Sequence, residues 1–594
     1  MFGVNAERAT YWIGVTCLTA LFLGAMNYSS LNMGGSGVQV PYNLFAWLVA
    51  TLFVLTAIVH IFVVRTLRFH VSTVYYLGAI LCLFLPLLWT DRLFLDVEAL
   101  RIAGTLAGIA FLLAAQQFFG AESRKLLLSI LLMSTLIQSF WGLLQYYFIF
   151  ERSFLFWSAH QSRPYGVFQQ VNVYAVYITL GSMLVLHFLA DLNKKSTGMI
   201  CAVAAVLLLN SHLMTLSEAS TARAVGFVSV IAYLLYFALC RAFSKSVILL
   251  FWGAVCLGTF APKTMFDVRP STAKVAPLEV ERLVVDTPVS KSVSAVADAG
   301  PESRFGTRPT IYAVAVDMIK DEPFFGHGIG SFRKQYLLYQ GEYLKKHPDA
   351  EAEFNLSHPH NEIFYWVIEL GVFTIFGFIL VLVAWAVGVK SKFLDLRILL
   401  LATPLVLQSM LELPFYHSVA HYLGFMLILV VSMNASGVRS FRIPRWPFAV
   451  IGPLVGWSLW KIWIFLLSTY FALTMFLLFN ASGRVDVRPL LKINNPSAFK
   501  LRHEFELFQW KFREARKAGE MDLVDINNYL MWAFSTTQYA PMQTTYENFV
   551  TSLVLVGKKE AARRYLNEGL LMYPRNEKLR AFDAQLSEME RGSG

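Results

Sequence analysis

The chain has 594 residues, of which 56% are hydrophobic and 15% are charged, and its formal net charge is +11. The mean hydropathy of +0.53 and the recurring apolar runs exclude an ordinary soluble globular protein, because runs of that length need lipid around them. The positive balance would suggest a nucleic-acid partner in a soluble chain. Here the Lys and Arg residues fall mostly in short loops between apolar runs, where they set orientation, so we expect no nucleic-acid partner. All cysteines lie in apolar segments, which excludes a disulfide framework.

In chain order, the apolar runs predict thirteen membrane-spanning helices. We expect them at 10–27, 43–64, 73–90, 98–119, 126–148, 172–190, 198–216, 222–240, 246–262, 363–388, 397–414, 418–434 and 447–478. The predicted fold class is therefore an all-α polytopic membrane protein.

Basic residues follow every second predicted span, and this alternation predicts the orientation of the chain. They are Arg65 and Arg68, Arg124 and Lys125, Lys194 and Lys195, Arg241 and Lys245, Lys390 and Lys392, and Arg439, Arg442 and Arg445. These turns are expected in the cytoplasm, together with the N-terminus. A loop at 149–171, a loop at 263–362 and the C-terminal tail then share the outer compartment.

The spans divide the chain into four predicted parts. Residues 1–262 carry the first nine spans, 263–362 form a large outer loop, 363–479 carry the last four spans, and 480–594 form a soluble helical domain. In that last part, the segment KKEAARRYLNEGLLMYPRN resembles the second helix of a tetratricopeptide hairpin with its closing proline, Pro574. We see no second copy at the usual period of about 34 residues, so the tail is predicted only to be TPR-like.

The densest group of titratable residues, HPHNEIFYWVIELG at 358–371, stands at the start of the tenth predicted span. Asn361 is a suitable helix N-cap, which puts His358 and His360 just before the helix at the outer interface. A single interfacial histidine usually satisfies backbone groups, but two histidines beside Asn361 and Glu362 favour a functional site as strongly as a structural one. Zinc bound by His358, His360 and Glu362 is an alternative. No second shell is recognisable, so we expect no metal and no cofactor.

The large loop contains a second candidate segment. Arg304 and Arg308 precede an amphipathic helical pattern, and the glycine-rich sequence GHGIG follows at 326–330. This sequence follows no strand and leads into no Walker lysine, so a plain turn is favoured over a phosphate-binding loop.

Three further polar segments lie at the outer ends of predicted spans. SRPYGVFQQVNVYA contains Arg163, Gln170 and Asn172 beside the sixth span. TLSEASTARAVGF contains Glu218 and Arg223 beside the seventh and eighth spans, where an arginine either snorkels or has a partner or a ligand. LELPFYHSVAHYLG contains Glu412, His417 and His421 beside the eleventh and twelfth spans.

The predicted topology brings six basic residues to one outer boundary, although they are spread over about 200 residues: Arg163, Arg223, Arg304, Arg308, His358 and His360. Guanidinium groups that face one place repel each other unless an anion joins them, and arginine matches phosphate oxygens in a bidentate manner. The sequence therefore predicts an outward-facing site for a lipid-linked diphosphate.

Taken together, these segments resemble the O-antigen ligase and Wzy polymerase superfamily of bacterial membrane glycosyltransferases, and most closely its PglL-like protein O-oligosaccharyltransferases. The resemblance covers about 160–371 and is carried by RPYGVFQQVNVYA, TARAVG, Arg308 with Tyr312, PFFGHGIGSF and HPHNEIFYWVIELG. The tail resembles the extra domain of the protein-glycosylating branch. Tyr312 stands where tryptophan is common in the family, and Pro359 stands where a small residue is more usual.

The resemblance implies transfer of a preassembled glycan from undecaprenyl diphosphate to a hydroxyl of a periplasmic protein, such as a pilin, at the bacterial inner membrane. It implies His360 as the base, His358 as its orienter or an acceptor contact, and arginines that clamp the diphosphate: Arg163, Arg223 and either Arg308 or Arg304. Arg308 is preferred of the last two because of its distance from Pro323. The supporting residues would be Gln170, Asn172, Glu218, Asn361, Glu412 and His417.

Two other functions stay open at this point. An O-antigen ligase or a Wzy-type polymerase would use the same donor with a glycan acceptor, and only the tail favours a protein acceptor. A transporter of lipids or solutes would place ionisable groups near the bilayer midplane in repeated halves. The groups here cluster at the outer ends and the halves show no duplication, so an enzyme is preferred.

Overall fold

The structure is a computed structural model, and it describes residues 2–30, 35–147, 163–262, 306–389, 393–444, 446–518 and 522–591. The described residues are predominantly helical, with one short two-stranded ribbon, which confirms the predicted all-α class. Arg304 and the other residues of 263–305 lie outside the described part, so the prediction for Arg304 falls outside it too.

In the first half of the chain the helices are α1 (Phe2–Thr19), α2 (Pro41–Val64), α3 (Ser72–Phe84), α4 (Arg92–Phe118), α5 (Arg124–Tyr147), α6 (Val171–Asp191), α7 (Thr197–Leu216), α8 (Ser220–Leu239) and α9 (Lys245–Phe260). The large loop contains α10 (Arg308–Asp321) and α11 (Phe332–Lys346).

The remaining helices lead to the C-terminal tail. They are α12 (Glu362–Leu370), α13 (Val372–Gly388), α14 (Phe393–Leu401), α15 (Thr403–Ser409), α16 (Pro414–His417), α17 (Val419–Ser432), α18 (Trp446–Ala481), α19 (Arg488–Leu491), α20 (Lys500–Ala518), α21 (Leu523–Tyr539), α22 (Gln543–Leu555), α23 (Lys559–Met572) and α24 (Glu577–Arg591).

Among the described residues, nine helices are long and apolar enough to cross a membrane, and shorter apolar helices accompany them at Lys245–Phe260, Val372–Gly388 and Val419–Ser432. Hydrocarbon offers no partners for backbone N–H and C=O groups, so runs of this kind form helices. The predicted multi-pass membrane architecture is confirmed, while the sidedness stays a prediction.

Two predicted spans are broken, so the expectation of a single helix at each was wrong. The span at 363–388 divides into α12 and α13 at Gly371, which has a φ of +65°. A Cβ atom at Gly371 would lie 2.3 Å from the carbonyl oxygen of Phe324, so close backbone contact fixes the break. The span at 397–414 divides into α14 and α15, because Pro404 favours the first turn of a new helix.

The chain forms two compact units, each built from separate stretches of sequence. The first contains the described residues of 1–78, 103–274 and 380–477, and the second contains those of 79–102, 275–379 and 478–594. Most candidate residues from the spans lie in the first unit, and those from the large loop lie in the second.

In the first unit, α6 is the central helix and is buried along nearly its whole length between α5, α7 and α8. Asn210 of α7 donates hydrogen bonds to the Ile178 carbonyl (3.0 Å) and the Ser182 hydroxyl (3.0 Å) on α6. Its own amide oxygen accepts a hydrogen bond from Ser139 of α5 at 2.7 Å. Bonds of this type hold membrane helices together, and here they join α7 to α5 and α6, which precede and follow the 163–170 segment.

A short antiparallel ribbon in the first unit was missed by the sequence analysis. Strand β1 (Thr66–His70) pairs with β2 (Val438–Arg442), with Thr66 opposite Arg442 and the rings of Phe69 and Phe441 stacked at 5.4 Å. The pairing joins two of the basic turns that were predicted to be cytoplasmic. Paired strands must lie on one side of a membrane, so both turns share a side.

In the second unit, the large-loop helices α10 and α11 form a hairpin, and α11 packs on α21 and α23 of the tail. Lys334 of α11 lies 2.9 Å from Glu568 Oε1 and donates a hydrogen bond to Gln538 at 3.0 Å. The tail helices α21 to α24 each pack on the next one in the chain, as in a stack of helical hairpins. The large loop and the tail are therefore built together within this unit.

Candidate functional site

The 163–170 segment before α6 is held in place by two glutamines of α5. Gln145 donates to the Gly166 carbonyl (2.7 Å) and accepts from the backbone N–H groups of Tyr165 and Gly166 at 3.2 and 2.9 Å. Gln138 accepts from the N–H of Val167 at 3.1 Å. Side chains of α5 thus supply the hydrogen bonds that these backbone groups would otherwise make within a helix or a sheet. These bonds keep the segment ordered.

Arg163 and Glu218 form an ion pair at the surface of the first unit. Arg163 Nη2 lies 2.8 Å from Glu218 Oε2, with the side chains 46% and 36% exposed. Exposed pairs of this kind contribute about 0–1 kcal/mol, because water screens both charges. An anionic ligand can therefore replace Glu218 beside Arg163 at little cost.

Arg223 stands in the first turn of α8 and is partly buried. In the described part of the chain its guanidinium group makes no ion pair and no side-chain hydrogen bond. Nearby, Thr221 donates to the amide oxygen of Asn172 at 3.4 Å, which links the starts of α8 and α6. Gln170 occupies the N-cap position of α6 without a side-chain capping bond. A guanidinium group without a protein carboxylate is suited to an anionic ligand.

The structure gives His417 a partner in the backbone. Its Nε2 donates to the carbonyl oxygen of Phe168 at 2.8 Å, and its own carbonyl accepts from the Asn43 amide at 2.8 Å. Burial lowers the pKa of His417. His417 thus connects α16 with the 163–170 segment as a neutral imidazole, which is a structural role in this unit. Glu412 lies in the turn just before α16.

In the second unit, Arg308 opens α10, and Tyr312 stands one turn later. The Tyr312 hydroxyl donates to the carbonyl oxygen of His360 at 3.4 Å, and its ring packs edge-to-face on Phe364 at 5.6 Å. The phenol hydroxyl of Tyr312 thus supplies a hydrogen-bond donor to the backbone at His360. Arg308 is partly buried at the start of this helix.

His358 and His360 lie side by side just before α12. Their ring centroids are 4.8 Å apart, and His358 Nδ1 is 2.8 Å from the Ser357 hydroxyl. His360 has a left-handed backbone with a φ of +51°. Asn361 caps α12, as predicted, because its side-chain oxygen accepts the N–H of Phe364 at 3.0 Å. The cap and the Tyr312 bond hold His360 in a conformation that is uncommon for a non-glycine residue.

The glycine sequence GHGIG forms a turn that docks on α12. Gly326, Gly328 and Gly330 have φ values of +68°, +91° and +78°. The Gly326 N–H donates to Glu322 O (3.2 Å), the Gly328 N–H to Glu369 O (2.9 Å), and the Gly330 N–H to the Glu369 carboxylate (3.0 Å). These amides are engaged within the protein, so the turn does not present them to a phosphate group. The expectation of a plain turn is confirmed.

The sequence analysis missed a buried charge cluster behind this turn. Arg101 of α4 bonds the carboxylate of Glu369, which is 0% exposed, and lies 3.5 Å from Glu98 Oε2. The Arg101 guanidinium carbon also lies 4.2 Å from the Tyr365 ring and 4.1 Å from the Trp366 ring. Charges inside predicted spans are rare unless they are paired, and that signal would have drawn attention to Arg101 and Glu369.

The predicted site residues therefore form two groups, one in each unit. The first unit contains Arg163, Gln170, Asn172, Glu218, Arg223, Glu412 and His417. The second unit contains Arg308, His358, His360 and Asn361. The first group offers arginines suited to an anion, and the second offers a pair of adjacent imidazoles, side chains of a type that can accept a proton.

Two family models match the chain. The model described as "O-Antigen ligase" matches residues 198–379, which include Arg223, Arg308, His358 and His360. The model described as "Virulence factor membrane-bound polymerase, C-terminal" matches residues 396–587. No curated protein matches the chain. The matches support the superfamily that the motifs resemble and a membrane glycan ligase or polymerase of the transferase class, without reaching the protein-glycosylating branch.

Proposed function

From the two O-antigen ligase and polymerase matches, we propose that the chain is an O-linked oligosaccharyltransferase. It moves a preassembled glycan en bloc from undecaprenyl diphosphate to a hydroxyl of a periplasmic protein such as a pilin. The start of α12 carries this proposal, because His358 and His360 lie side by side there within the O-antigen ligase match. An imidazole suits the removal of a proton from an acceptor hydroxyl near neutral pH.

In the proposed reaction, His360 takes the proton of the acceptor hydroxyl as its oxygen attacks the anomeric carbon of the glycan. The bond from that carbon to the phosphate oxygen breaks, and its electron pair leaves with the polyprenyl diphosphate. His358 orients His360 or contacts the acceptor. The diphosphate is already a good leaving group, so cations that stabilise its developing charge complete the requirements, and no step uses a metal.

The arginines are proposed to bind this diphosphate. Arg223 supports the assignment because its guanidinium group has no ion-pair partner in the described residues. Arg163 supports it because its exposed partner, Glu218, is replaceable. Arg308, which opens α10, is proposed to contribute from the large loop. These three roles rest on the predicted topology, in which all of them face the outer side.

A glycan acceptor is the second candidate, and one observation favours it. The model named for a polymerase matches 396–587, which takes in most of the tail that otherwise suggested a protein acceptor. The tail alone therefore does not separate the two acceptors. An O-antigen ligase or a polymerase would use the same donor, the same base and the same arginines.

The acceptor is tested with full-length protein in nanodiscs and a synthetic lipid-linked oligosaccharide. A pilin-like protein, lipid A core and a second lipid-linked glycan are offered in parallel and analysed by intact-mass spectrometry. We expect the protein to gain the mass of one whole glycan. A longer lipid-linked glycan or a modified lipid A core with an unmodified protein would establish a glycan acceptor instead.

Two variants accompany this experiment. His360→Ala is expected to lose transfer, and Arg564→Gln, an exposed arginine on α23, serves as the matched control with full transfer. Movement of the lipid-linked glycan across the bilayer without covalent transfer to any acceptor would favour a transporter and would contradict the enzyme proposal.

A further inference from the structure

The ribbon of β1 and β2 begins where a membrane-spanning helix ends. Helix α2 has 24 residues and ends at Val64, and β1 starts at Thr66. A helix of that length extends about 36 Å, which exceeds the hydrocarbon core of about 30 Å. The N–H of Ile443, just after β2, donates to the carbonyl oxygen of Arg65 at 3.0 Å, which holds the end of β2 beside the start of β1. The ribbon therefore starts at the level of the lipid headgroups.

One face of the ribbon carries four side chains that donate hydrogen bonds. In the register of the strands, Thr66 is opposite Arg442, and Arg68 is opposite Ser440. Residues that are directly opposite share a face, with Cβ atoms about 4.5–5.5 Å apart, and residues two apart in one strand share it too. Two guanidinium groups and two hydroxyl groups therefore stand together on one face, within reach of a single anion.

The protein supplies no acceptor for these four side chains. Within the described ranges of the chain, none of the four makes a side-chain hydrogen bond or an ion pair. The sequence explains this, because it has no aspartate or glutamate between Glu7 and Asp91 or between Glu412 and Asp486. Glu122, in the turn after α4, forms no ion pair with them. The positive charge of this face is thus left for a partner outside the chain.

The backbone under this face is fixed by the end of α4. Gln117 accepts a hydrogen bond from the N–H of Arg68 at 3.0 Å and donates one to the carbonyl oxygen of Arg68 at 2.7 Å. Gln116 accepts the N–H of His70 at 2.7 Å. Both edges of β1 are therefore paired, one with β2 and the other with α4. The four donors stand on an ordered backbone, which lowers the entropic cost of binding a ligand.

The opposite face of the ribbon is apolar at the same end. Leu67 stands opposite Phe441, whose side chain is 54% exposed and whose ring stacks on the ring of Phe69 at 5.4 Å. The stack agrees with the alternation of faces, since Leu67 and Phe69 are two residues apart. Exposed apolar side chains of this size are stabilised by contact with acyl chains. The ribbon is therefore amphipathic, as an element at a membrane surface should be.

We propose that the donor face of the ribbon binds the phosphate group of an anionic phospholipid. Guanidinium groups match phosphate oxygens in a bidentate manner, and the two hydroxyl groups donate to the remaining oxygens. A lipid is the source that the position favours, because the donors lie at the level of the headgroups and the apolar face needs acyl chains. The proposal requires only a membrane surface at this end of α2. It rests neither on the proposed transfer reaction nor on which side of the membrane the ribbon occupies.

The test uses the full-length protein in nanodiscs made from equal parts of phosphatidylglycerol and phosphatidylcholine, with a photoactivatable form of one lipid or the other. Mass spectrometry quantifies the cross-links, and the lipid ratio is the yield with phosphatidylglycerol divided by the yield with phosphatidylcholine. The turn between α6 and α7 is the internal reference, because it carries Lys194 and Lys195 without a ribbon. We expect the lipid ratio at 65–70 and 438–442 to exceed that of the reference turn at least about fivefold, since the reference has two charges but no ordered donor face.

Three sets of variants separate the donor face from charge in general. Arg68→Gln and Arg442→Gln are each expected to lower the lipid ratio at the ribbon about fivefold, the contribution of one arginine at an anionic surface. The matched control, Lys194→Gln with Lys195→Gln, removes two charges at the reference turn and should leave the ratio at the ribbon unchanged. Phe441→Ser should lower the yields with both lipids alike, because it removes an apolar contact and no charge.

Four results would overturn the site. The first is a lipid ratio at the ribbon no larger than that of the reference turn. The second is an equal loss at the ribbon in the lysine control and in the arginine variants, which would reduce the effect to net charge. The third is loss of the ratio when excess inorganic phosphate or a short oligonucleotide is added at constant ionic strength, which would assign the face to a soluble phosphate group. The fourth is a lower unfolding midpoint of both arginine variants in detergent without phosphatidylglycerol, which would assign the arginines to the fold.

Discussion

Helix starts and helix ends use the same left-handed backbone for different purposes in this molecule. Among the described non-glycine residues, Arg65, Glu218, Arg241 and Arg484 adopt it just after a helix ends, and Gln169 and His360 adopt it one place before a helix N-cap. Glu218 also precedes an N-cap, because α8 begins soon after α7 ends. After a helix, this conformation turns the chain and satisfies carbonyl groups, as when the N–H of Ala242 donates to Phe237 O at 2.9 Å. Before a helix it satisfies none of the unpaired N–H groups.

The difference is informative because a left-handed non-glycine residue costs roughly 1 kcal/mol. Glycine would relieve that cost at a helix start, yet the chain has glutamine and histidine there, at Gln169 and His360. Both stand in the polar segments that the sequence had singled out. We interpret the left-handed residues after helices as ordinary helix terminations. We interpret those before helices as positions where the backbone conformation sets the direction of a side chain, and this distinction can be tested.

The largest effect is expected at His360. His360→Ala removes the proposed base, and we expect transfer to fall by about 10²- to 10⁴-fold, measured as glycan added per enzyme in a single turnover. His360→Gly also removes the backbone strain and should be equally inactive. This variant therefore separates the effect of losing the imidazole from the effect of losing the strain. Arg241→Ala at a helix end is the control. Undiminished transfer by His360→Ala would remove it as the base.

Next in size is the buried pair behind the start of α12. Glu369→Ala leaves the Arg101 cation buried without its main partner, and we expect about 3–5 kcal/mol of destabilisation in denaturant unfolding. Glu98→Gln removes the longer contact of Arg101 at 3.5 Å and should cost about 1 kcal/mol or less. Equal destabilisation by the two variants would show that Glu369 is not the main partner of Arg101.

Arg223, just inside the start of α8, should give a smaller and purely functional effect. Arg223→Gln is expected to lower transfer by about 10- to 100-fold, the value of one charge-assisted hydrogen bond. The unfolding midpoint should stay unchanged, because Arg223 has no ion-pair partner among the residues that the structure describes. Arg65→Gln at the end of α2 is the control. A loss of stability without a loss of transfer would assign Arg223 to the fold.

A direct comparison of the two boundary types follows from glycine substitutions. Gln169→Gly and Arg241→Gly should each relieve up to about 1 kcal/mol of backbone strain. We expect the helix-end variant to keep full transfer and the helix-start variant to lose part of it, because the hydrogen bond from Gln169 to the Ser30 hydroxyl at 3.1 Å is lost. If both variants transfer equally well, the left-handed starts have no functional role.

The last prediction is that removing metal ions has no effect on transfer. It concerns His358 and His360, the two histidines before α12. Because the proposed transfer uses no metal, dialysis against a chelator should leave its rate unchanged, measured with the same mass assay. Metal analysis of the purified protein is the control. Loss of transfer in the chelator with rescue by zinc would contradict the metal-independent reaction and would assign His358 and His360 to a zinc site.

Hydropathy predicted most of the helices because lipid imposes one rule on every span, a long apolar run with its backbone satisfied internally. It could not predict the break at Gly371, since that break depends on the carbonyl of Phe324, which lies in another part of the chain. It likewise missed the ribbon of β1 and β2, whose partners are separated by more than half of the sequence.

The candidate site likewise has features that the sequence predicts locally and features that depend on distant parts of the chain. The Asn361 cap was predictable because the residue and the N–H group it accepts are three positions apart. The bond from His417 to Phe168 depends on a carbonyl that sequence reasoning cannot place. Arg101 and Glu369 were visible as charges within apolar runs, but only the fold shows that they are partners.

The packing of α11 on the tail has a consequence for how the protein is made. Lys334 leaves the ribosome about 230 residues before Glu568, its partner on α23. At a synthesis rate of about 5–20 residues per second, α11 therefore waits roughly 10–50 s for the surface that covers it. During that interval the large loop is a substrate for chaperones and proteases, and a nascent chain that stops early leaves its newest helices uncovered.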